Sequence, residues 1–277
     1  MIVDAAWVAA HVGDRSVRVV ELDVSRAAYD AGHIPGAVLW NAYSDLRDGA
    51  YKPVGLPELE RLLSRSGVSP EMTLIFYGYG AALGLWLMSA HGHGDVRMLE
   101  GPRDSWVLDG HEWSADVPEP AESSYPLTGA RADLLAAQTA VESAIGDQGQ
   151  VLLDVRAPAE YSGERFWPSG ATADVGRAGH VPGAISVPIA LLRNEDETTR
   201  RPEELRRVLD QAGVTGEKPI IVYCTIGNRA SQAWFALKHL LGYPDVSVYY
   251  GSWVEWGKAP DTPVELEPEK PPPEEDR

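Results

Sequence analysis

Cys224 is the only cysteine of the sequence, and an arginine, Arg229, follows it five positions later. A thiolate is a strong nucleophile, and a fixed guanidinium nearby both favours that charge and suits an anionic substrate. Ile220-Ile221-Val222-Tyr223 before the cysteine reads as a buried strand. Trp234-Phe235-Ala236-Leu237 and Leu240-Leu241 after it have helical spacing. Cys224 therefore stands where a strand ends and a helix begins. Helix N-termini offer N–H groups without helical acceptors and a partial positive charge. A lone cysteine is commonly a small core residue. Here Gly227, Asn228 and Arg229 suit an anion cradle better than an apolar wall.

The elements around this loop occur twice. Val20-Glu21-Leu22-Asp23 is answered by Val151-Leu152-Leu153-Asp154, and Gly32-His33-Ile34-Pro35-Gly36-Ala37 by Gly179-His180-Val181-Pro182-Gly183-Ala184. Leu56 through Gly67-Val68 is answered by Pro202 through Gly213-Val214, and Tyr77-Gly78 by Tyr223-Cys224. A repeat of this length is a duplicated domain, whereas solenoid units run to some 20–50 residues. Strands alternating with helices predict an α/β architecture around a mostly parallel sheet in each copy. The first copy has Gly78 in place of the cysteine and Leu83 in place of the arginine, so it is expected to supply packing and one wall of a cleft. The expected division is residues 1–116, an acidic Pro- and Ser-rich linker 117–129, residues 130–260, and a disordered acidic Pro-rich tail 261–277.

Cys224 to Arg229 resembles the active-site loop of the rhodanese (sulfurtransferase) superfamily. Gly179 to Ala184 matches that superfamily's front motif, and Gly251-Ser252-Trp253-Val254-Glu255-Trp256 the closing motif of its two-domain members. These motifs run in the family's order from about Asp154 to Trp256. The resemblance implies two tandem rhodanese-like domains, each a mostly parallel sheet sandwiched by helices, the first inactive. It also implies sulfane-sulfur transfer: Cys224 takes sulfur from a donor, forms a persulfide, and passes it to cyanide or a thiol. Cys224 and Arg229 are then the catalytic residues, with Thr225, Ile226, Gly227 and Asn228 lining the substrate site. Arg165 and Arg177 are further substrate-binding candidates, because they lie in the stretch Ser162 to Arg177 that the first copy lacks.

Departures from the family's branches bear on the donor. The mercaptopyruvate branch shows Cys-Gly-Ser-Gly, and its carboxylate-binding arginine would stand where this chain has Glu160, before Tyr161. Vertebrate-type thiosulfate enzymes have two basic residues after the cysteine, where this chain has Thr225 and Ile226. The resemblance is to the bacterial thiosulfate pattern, so thiosulfate is expected over mercaptopyruvate. A non-catalytic sulfur carrier or sensor is the reading from another class. Phosphatase loops place five residues between cysteine and arginine; four stand here, a tighter ring better suited to sulfur than to phosphate.

Composition narrows the partners. A formal net charge of −17 and a pI near 4.8 argue against nucleic acid or an anionic membrane. No internal disulfide can form, and no cofactor or metal site is expected, His91 and His93 reading as solvated. The sequence starting at Met1 lacks the pattern of a signal peptide, so a cytoplasmic monomer acting on small molecules is expected. His33 and His180 recur before Pro-Gly turns, one copy in an inert domain, which assigns them to fixing those turns. Arg156 stands four residues before Glu160, a spacing that predicts an ion pair on one helical face.

Overall fold

The computed structural model describes residues 1–99, 101–167 and 176–266. In the first half, strands β1 (Ile2–Val3), β2 (Val17–Asp23), β3 (Val38–Asn41), β4 (Thr73–Tyr77) and β5 (Asp95–Leu99) form one sheet in the order β1-β5-β4-β2-β3. In the second half, β6 (Leu135–Ala136), β7 (Val151–Asp154), β8 (Ile185–Ser186), β9 (Ile220–Tyr223) and β10 (Val246–Tyr249) repeat it as β6-β10-β9-β7-β8. Every pairing within the two sheets is parallel. The central strands are apolar on both faces because helices cover both; β9 and β7 are buried at every residue. The two-residue edge strands carry too little pattern to be read from sequence.

Crossover helices Leu56–Arg65 and Pro202–Gln211 occupy equivalent places, each with proline in its first turn, where the missing N–H costs nothing. Helix Ala81–Ala90 is apolar nearly all round, with Leu83, Leu85, Trp86, Leu87 and Met88 buried. It lies between its own sheet and the second domain, packing against its counterpart Asn228–Phe235. A single apolar core consequently runs across both halves, with the Trp86 and Tyr250 rings 5.0 Å apart. That shared core joins the first domain to the strand, loop and helix that carry Cys224.

The two turn histidines do the same structural work. His33 Nδ1 is 2.9 Å from the Tyr29 carbonyl, and His180 Nδ1 is 2.8 Å from that of Tyr161. Each ring stacks on that tyrosine, at 3.8 and 3.7 Å. The linker lies against the first domain: Leu127 N–H donates to Glu60 at 2.7 Å, and Tyr125 is buried. His93 departs from the solvated reading. It is buried, 2.7 Å from both the Tyr125 hydroxyl and the Met72 carbonyl, and burial lowers its affinity for a proton. Residues 261–266 are likewise packed on the second domain: Thr262 is buried, and Glu265 pairs through its backbone with His180. The remainder of the expected tail, 267–277, lies outside the described residues. Among the described residues no helix is long and apolar enough to cross a membrane.

Candidate active site

Cys224 follows the C-terminal end of β9, the end at which parallel α/β sheets present their sites. Its sulfur accepts a hydrogen bond from the Gly227 N–H at 3.1 Å, and its side chain is almost wholly buried. Gly227 caps the helix Asn228–Phe235 with φ +90°, a conformation that favours glycine. The closing motif holds the loop from behind. Ser252 Oγ accepts from the Cys224 N–H at 3.3 Å and donates to the Tyr249 carbonyl at 2.8 Å. The Trp253 and Val254 N–H groups donate to the carbonyls of Cys224 and Thr225 at 2.9 and 3.0 Å. Ser252 itself is buried with φ +55°, strain of the sort that collects at functional sites.

The sequence pattern does not reveal why Gly227 must be glycine. A Cβ there would lie 2.5 Å from the Tyr250 ring and 3.0 Å from a guanidinium nitrogen of Arg47. Gly227→Ala is therefore expected to cost about 1–3 kcal/mol in stability. Turnover of the folded fraction should fall roughly tenfold or more, because the N–H aimed at sulfur moves. Thermal melting and turnover below the melting range check this; unchanged turnover would show that the N–H contact is dispensable.

Arg229 is engaged with Glu160. The two guanidinium nitrogens meet the two carboxylate oxygens at 2.7 and 2.9 Å, and Nη2 also donates to Thr225 Oγ1 at 2.7 Å. Thr225 donates in turn to Glu160 at 2.5 Å. Burial disfavours the Glu160 charge, yet the Arg229 bonds and charge outweigh it and hold the carboxyl below its usual range. Burial also opposes the Arg229 charge, but the pair with Glu160 and the nearby Cys224 keep that guanidinium firmly protonated. The expected Arg156–Glu160 pair is not formed. The helix begins only at Pro158, with Ala157 extended before it, so Arg156 lies outside the helical turn that the spacing assumes. It pairs instead with Asp154 at 2.7 Å, both side chains fully buried, and its guanidinium lies 4.5 Å from the Trp253 ring centre.

Of the other expected substrate residues, Thr225 is part of this network and Ile226 packs against a separate apolar cluster of the second domain that includes Tyr223, Tyr249 and Trp253. Asn228 is buried, and neither end of its amide has a protein partner. Arg177 is committed elsewhere: it donates to the Thr262 carbonyl and hydroxyl, each at 2.6 Å, and to the Ala259 carbonyl. It clamps the segment after Trp256 and is not brought to the Cys224 loop. Arg165 is 42 % exposed, with Glu164 at 3.3 Å. Residues that the loop's own sequence does not announce also reach the site. Arg47, buried in the first domain, donates to the carbonyls of Ile226 and Tyr250. Tyr43, also from the first domain, lies within electrostatic reach of Cys224 and Arg229; burial pushes its phenol up, and Tyr79, Tyr51 and Cys224 add to that. Tyr43 meets Tyr51 edge-on at 5.8 Å, and Tyr51 meets Trp167 of the second domain at 5.3 Å.

The profile of the rhodanese-like domain matches residues 4–109 and again 137–259. The chain belongs to the rhodanese-like domain family. Both members of the tandem are thus of one kind, and only the second has a cysteine at its loop. A Haloferax volcanii protein provisionally named a thiosulfate sulfurtransferase is 39% identical over 275 residues, 96% of each chain being covered. The Thermus thermophilus sulfur carrier protein TtuD is 38% identical over 277 residues, covering 95% of this chain and 96% of its own. Among solved structures, the anaerobic ergothioneine biosynthesis enzyme of Chlorobium limicola aligns with TM-score 0.85 and 28% identity, over 96% of this chain and 70% of that one. A structure of EanB bearing a cysteine persulfide aligns with TM-score 0.85 at 27% identity, over the same shares.

Proposed function

We propose that the protein is a sulfurtransferase that moves sulfane sulfur from thiosulfate to a small thiol or cyanide through a persulfide on Cys224. The observation that carries this reading is the Gly227 N–H directed at the Cys224 sulfur at 3.1 Å, at the mouth of a strand–loop–helix bowl. The thiolate attacks the outer sulfur of thiosulfate, the sulfur–sulfur bond breaks, and sulfite leaves with the bonding electrons. The terminal persulfide sulfur then carries the negative charge, which suits the loop N–H groups and the helix N-terminus. Attack by cyanide or an external thiolate on that terminal sulfur releases thiocyanate or a new persulfide and restores the Cys224 thiolate. No second cysteine exists in the chain, so the acceptor must come from outside. The Asn228 amide, buried and without a protein hydrogen-bond partner at either end, is the loop's candidate for meeting a donor's oxygens. Arg165 remains a candidate for the same task.

The relatives' names support sulfur transfer as the class, and the loop's Thr225-Ile226 in place of Gly-Ser supports thiosulfate over mercaptopyruvate. The carrier name of the Thermus relative supports a second reading, in which the persulfide is delivered once to a protein partner. Steady-state assays with thiosulfate and mercaptopyruvate, each with cyanide and with a thiol, separate them. The expected result is multiple turnover, ping-pong kinetics and a higher kcat/KM for thiosulfate. A higher kcat/KM for mercaptopyruvate would overturn the donor. A single stoichiometric loading without turnover would make the protein a carrier.

A further inference from the structure

The first domain has no nucleophile, yet it places a buried cation against the nucleophile's loop. Arg47 is 4% exposed. One of its nitrogens donates to the Ile226 carbonyl, and to that of Tyr250 at 3.1 Å; the other donates to the Tyr51 carbonyl at 3.3 Å. Its guanidinium carbon lies 3.8 Å from the centre of the Tyr250 ring. The Ile226 carbonyl and the Gly227 N–H belong to one peptide plane. There are no cis peptides in the described residues, and in a trans peptide these two groups point in opposite directions. Holding the oxygen on one side therefore directs the N–H on the other, and that N–H is the one that meets Cys224 Sγ. A cation on the oxygen also polarises the peptide and strengthens its N–H as a donor.

Duplication supplies an internal comparison. Arg193 is the second domain's counterpart of Arg47. Arg47 bridges to Pro53 and Arg193 to Thr199. Tyr51 and Glu197, each four residues after its arginine, share φ near +64° (+63° and +65°), and Arg193 donates to the Glu197 carbonyl as Arg47 does to Tyr51. The arms differ in what they reach across the interface. Arg193 turns to Gln232 of its own domain at 3.1 Å and lines a small cavity beside Gly78 and Tyr79, the loop without a cysteine. Arg47 grips the loop with one.

We infer that Arg47 is a positioning residue for Cys224: it holds and polarises the Ile226–Gly227 peptide so that its N–H stabilises the thiolate and the persulfide. The first domain thereby takes part in activating the second domain's nucleophile. The inference rests on Cys224 being the nucleophile, as proposed above, and not on the identity of the donor.

Because Cys224 is the sole thiol, its alkylation by iodoacetamide across pH, without any sulfur donor, reads the thiolate directly. The other charged or titratable groups near it, Arg229 with Glu160, Tyr43 and Tyr79, are kept in every variant. Arg47→Met is expected to move the midpoint of the profile up by about one pH unit, a roughly tenfold loss of thiolate at a pH below both midpoints. Arg193→Met removes an equally built arm and should leave the midpoint in place, whatever it does to melting temperature. Arg47→Lys, which keeps charge but cannot span the same carbonyls, should shift the midpoint in the same direction by less; it decides the matter if Arg47→Met does not fold. A profile for the folded Arg47 variant superposing on the wild type's overturns the inference. So does an equal shift in Arg193→Met, which would mean general loosening.

Discussion

Cys224→Ser is expected to abolish sulfur loading and to lower turnover at least about 10³-fold, with the fold intact. Serine differs from cysteine by one atom, and its oxygen can still accept the Gly227 N–H that meets the sulfur at 3.1 Å. The loss is chemical. A hydroxyl at neutral pH is almost wholly protonated, and Arg229, held as a cation by its carboxylate partner, cannot serve as a base to deprotonate it. Incubation of the wild type with thiosulfate should add the mass of one sulfur atom, removable by cyanide, and the variant should add none. Since the chain has one cysteine, the mass shift has no other thiol to occupy. If the serine variant gained the same mass, the persulfide would have to form elsewhere and the mechanism would fall. A counterpart experiment tests the division of labour between domains. Gly78→Ala introduces strain, since Gly78 has φ +87° and a Cβ there would lie 3.2 Å from the Leu22 carbonyl. About 1–3 kcal/mol of stability should be lost, with turnover of the folded protein little changed. A large fall in turnover at an unchanged melting temperature would mean that the first loop takes part in chemistry.

What could be read from the sequence follows the range of the interactions. Cys224, its loop and the flanking strand and helix are contiguous, so local pattern sufficed to place the thiol at a helix N-terminus. The internal repeat exposed the pairing of front motifs, and His33 and His180 stand on equivalent carbonyls as that symmetry implied. Partners distant in sequence were not legible. Glu160 reaches Arg229 across 69 positions and Arg47 reaches Ile226 across 179, and no spacing rule spans such separations. The i,i+4 rule misdirected Arg156 because it presumes a helix already formed at residue 156. Arg177 was a candidate because insertions carry specificity; its guanidinium is instead surrounded by carbonyls of the C-terminal segment. Arg47 had a signal in the repeat: it stands where the second copy has Arg193. An arginine kept in both copies where the nucleophile was not is a mark of structural duty, and only the fold shows that one of the two also touches the active loop.

Arg229→Ala should be strongly damaging, and mainly through what it leaves behind. Glu160 is fully buried, whereas the Arg229 side chain is 18% exposed. Deleting the arginine strands a carboxylate that retains only the Thr225 hydroxyl at 2.5 Å and the Ala157 N–H at 3.1 Å. Removing one partner of such a pair costs about 3–5 kcal/mol at neutral pH. The sign of the pH dependence distinguishes this from a loss of packing. In the wild type the folded carboxyl lies below its ordinary range, so its contribution is fully present above the unfolded value of about 4.3 and fades as pH falls through the folded one. In the variant, burial without the cation drives the folded carboxyl above that value, so the penalty is absent in acid and grows as pH rises towards neutrality. Denaturant unfolding should therefore show the gap between the two proteins widest at pH 7 and closing as pH falls below about 4; a constant gap would assign the effect to packing. The double variant Arg229→Ala/Glu160→Gln should recover most of the neutral-pH stability, because no buried charge remains to be solvated. Turnover should not recover with it. Both double and single variants lack the cation near the sulfur, so each should have a higher midpoint of Cys224 alkylation than the wild type and turn over roughly tenfold or more slowly. Recovery of activity along with stability would reduce Arg229 to a brace for the loop and remove it from the chemistry. Arg229→Lys separates geometry from charge: a single ammonium cannot meet both Glu160 oxygens and Thr225 together, so it should keep more of the thiolate than alanine while losing much of the stability.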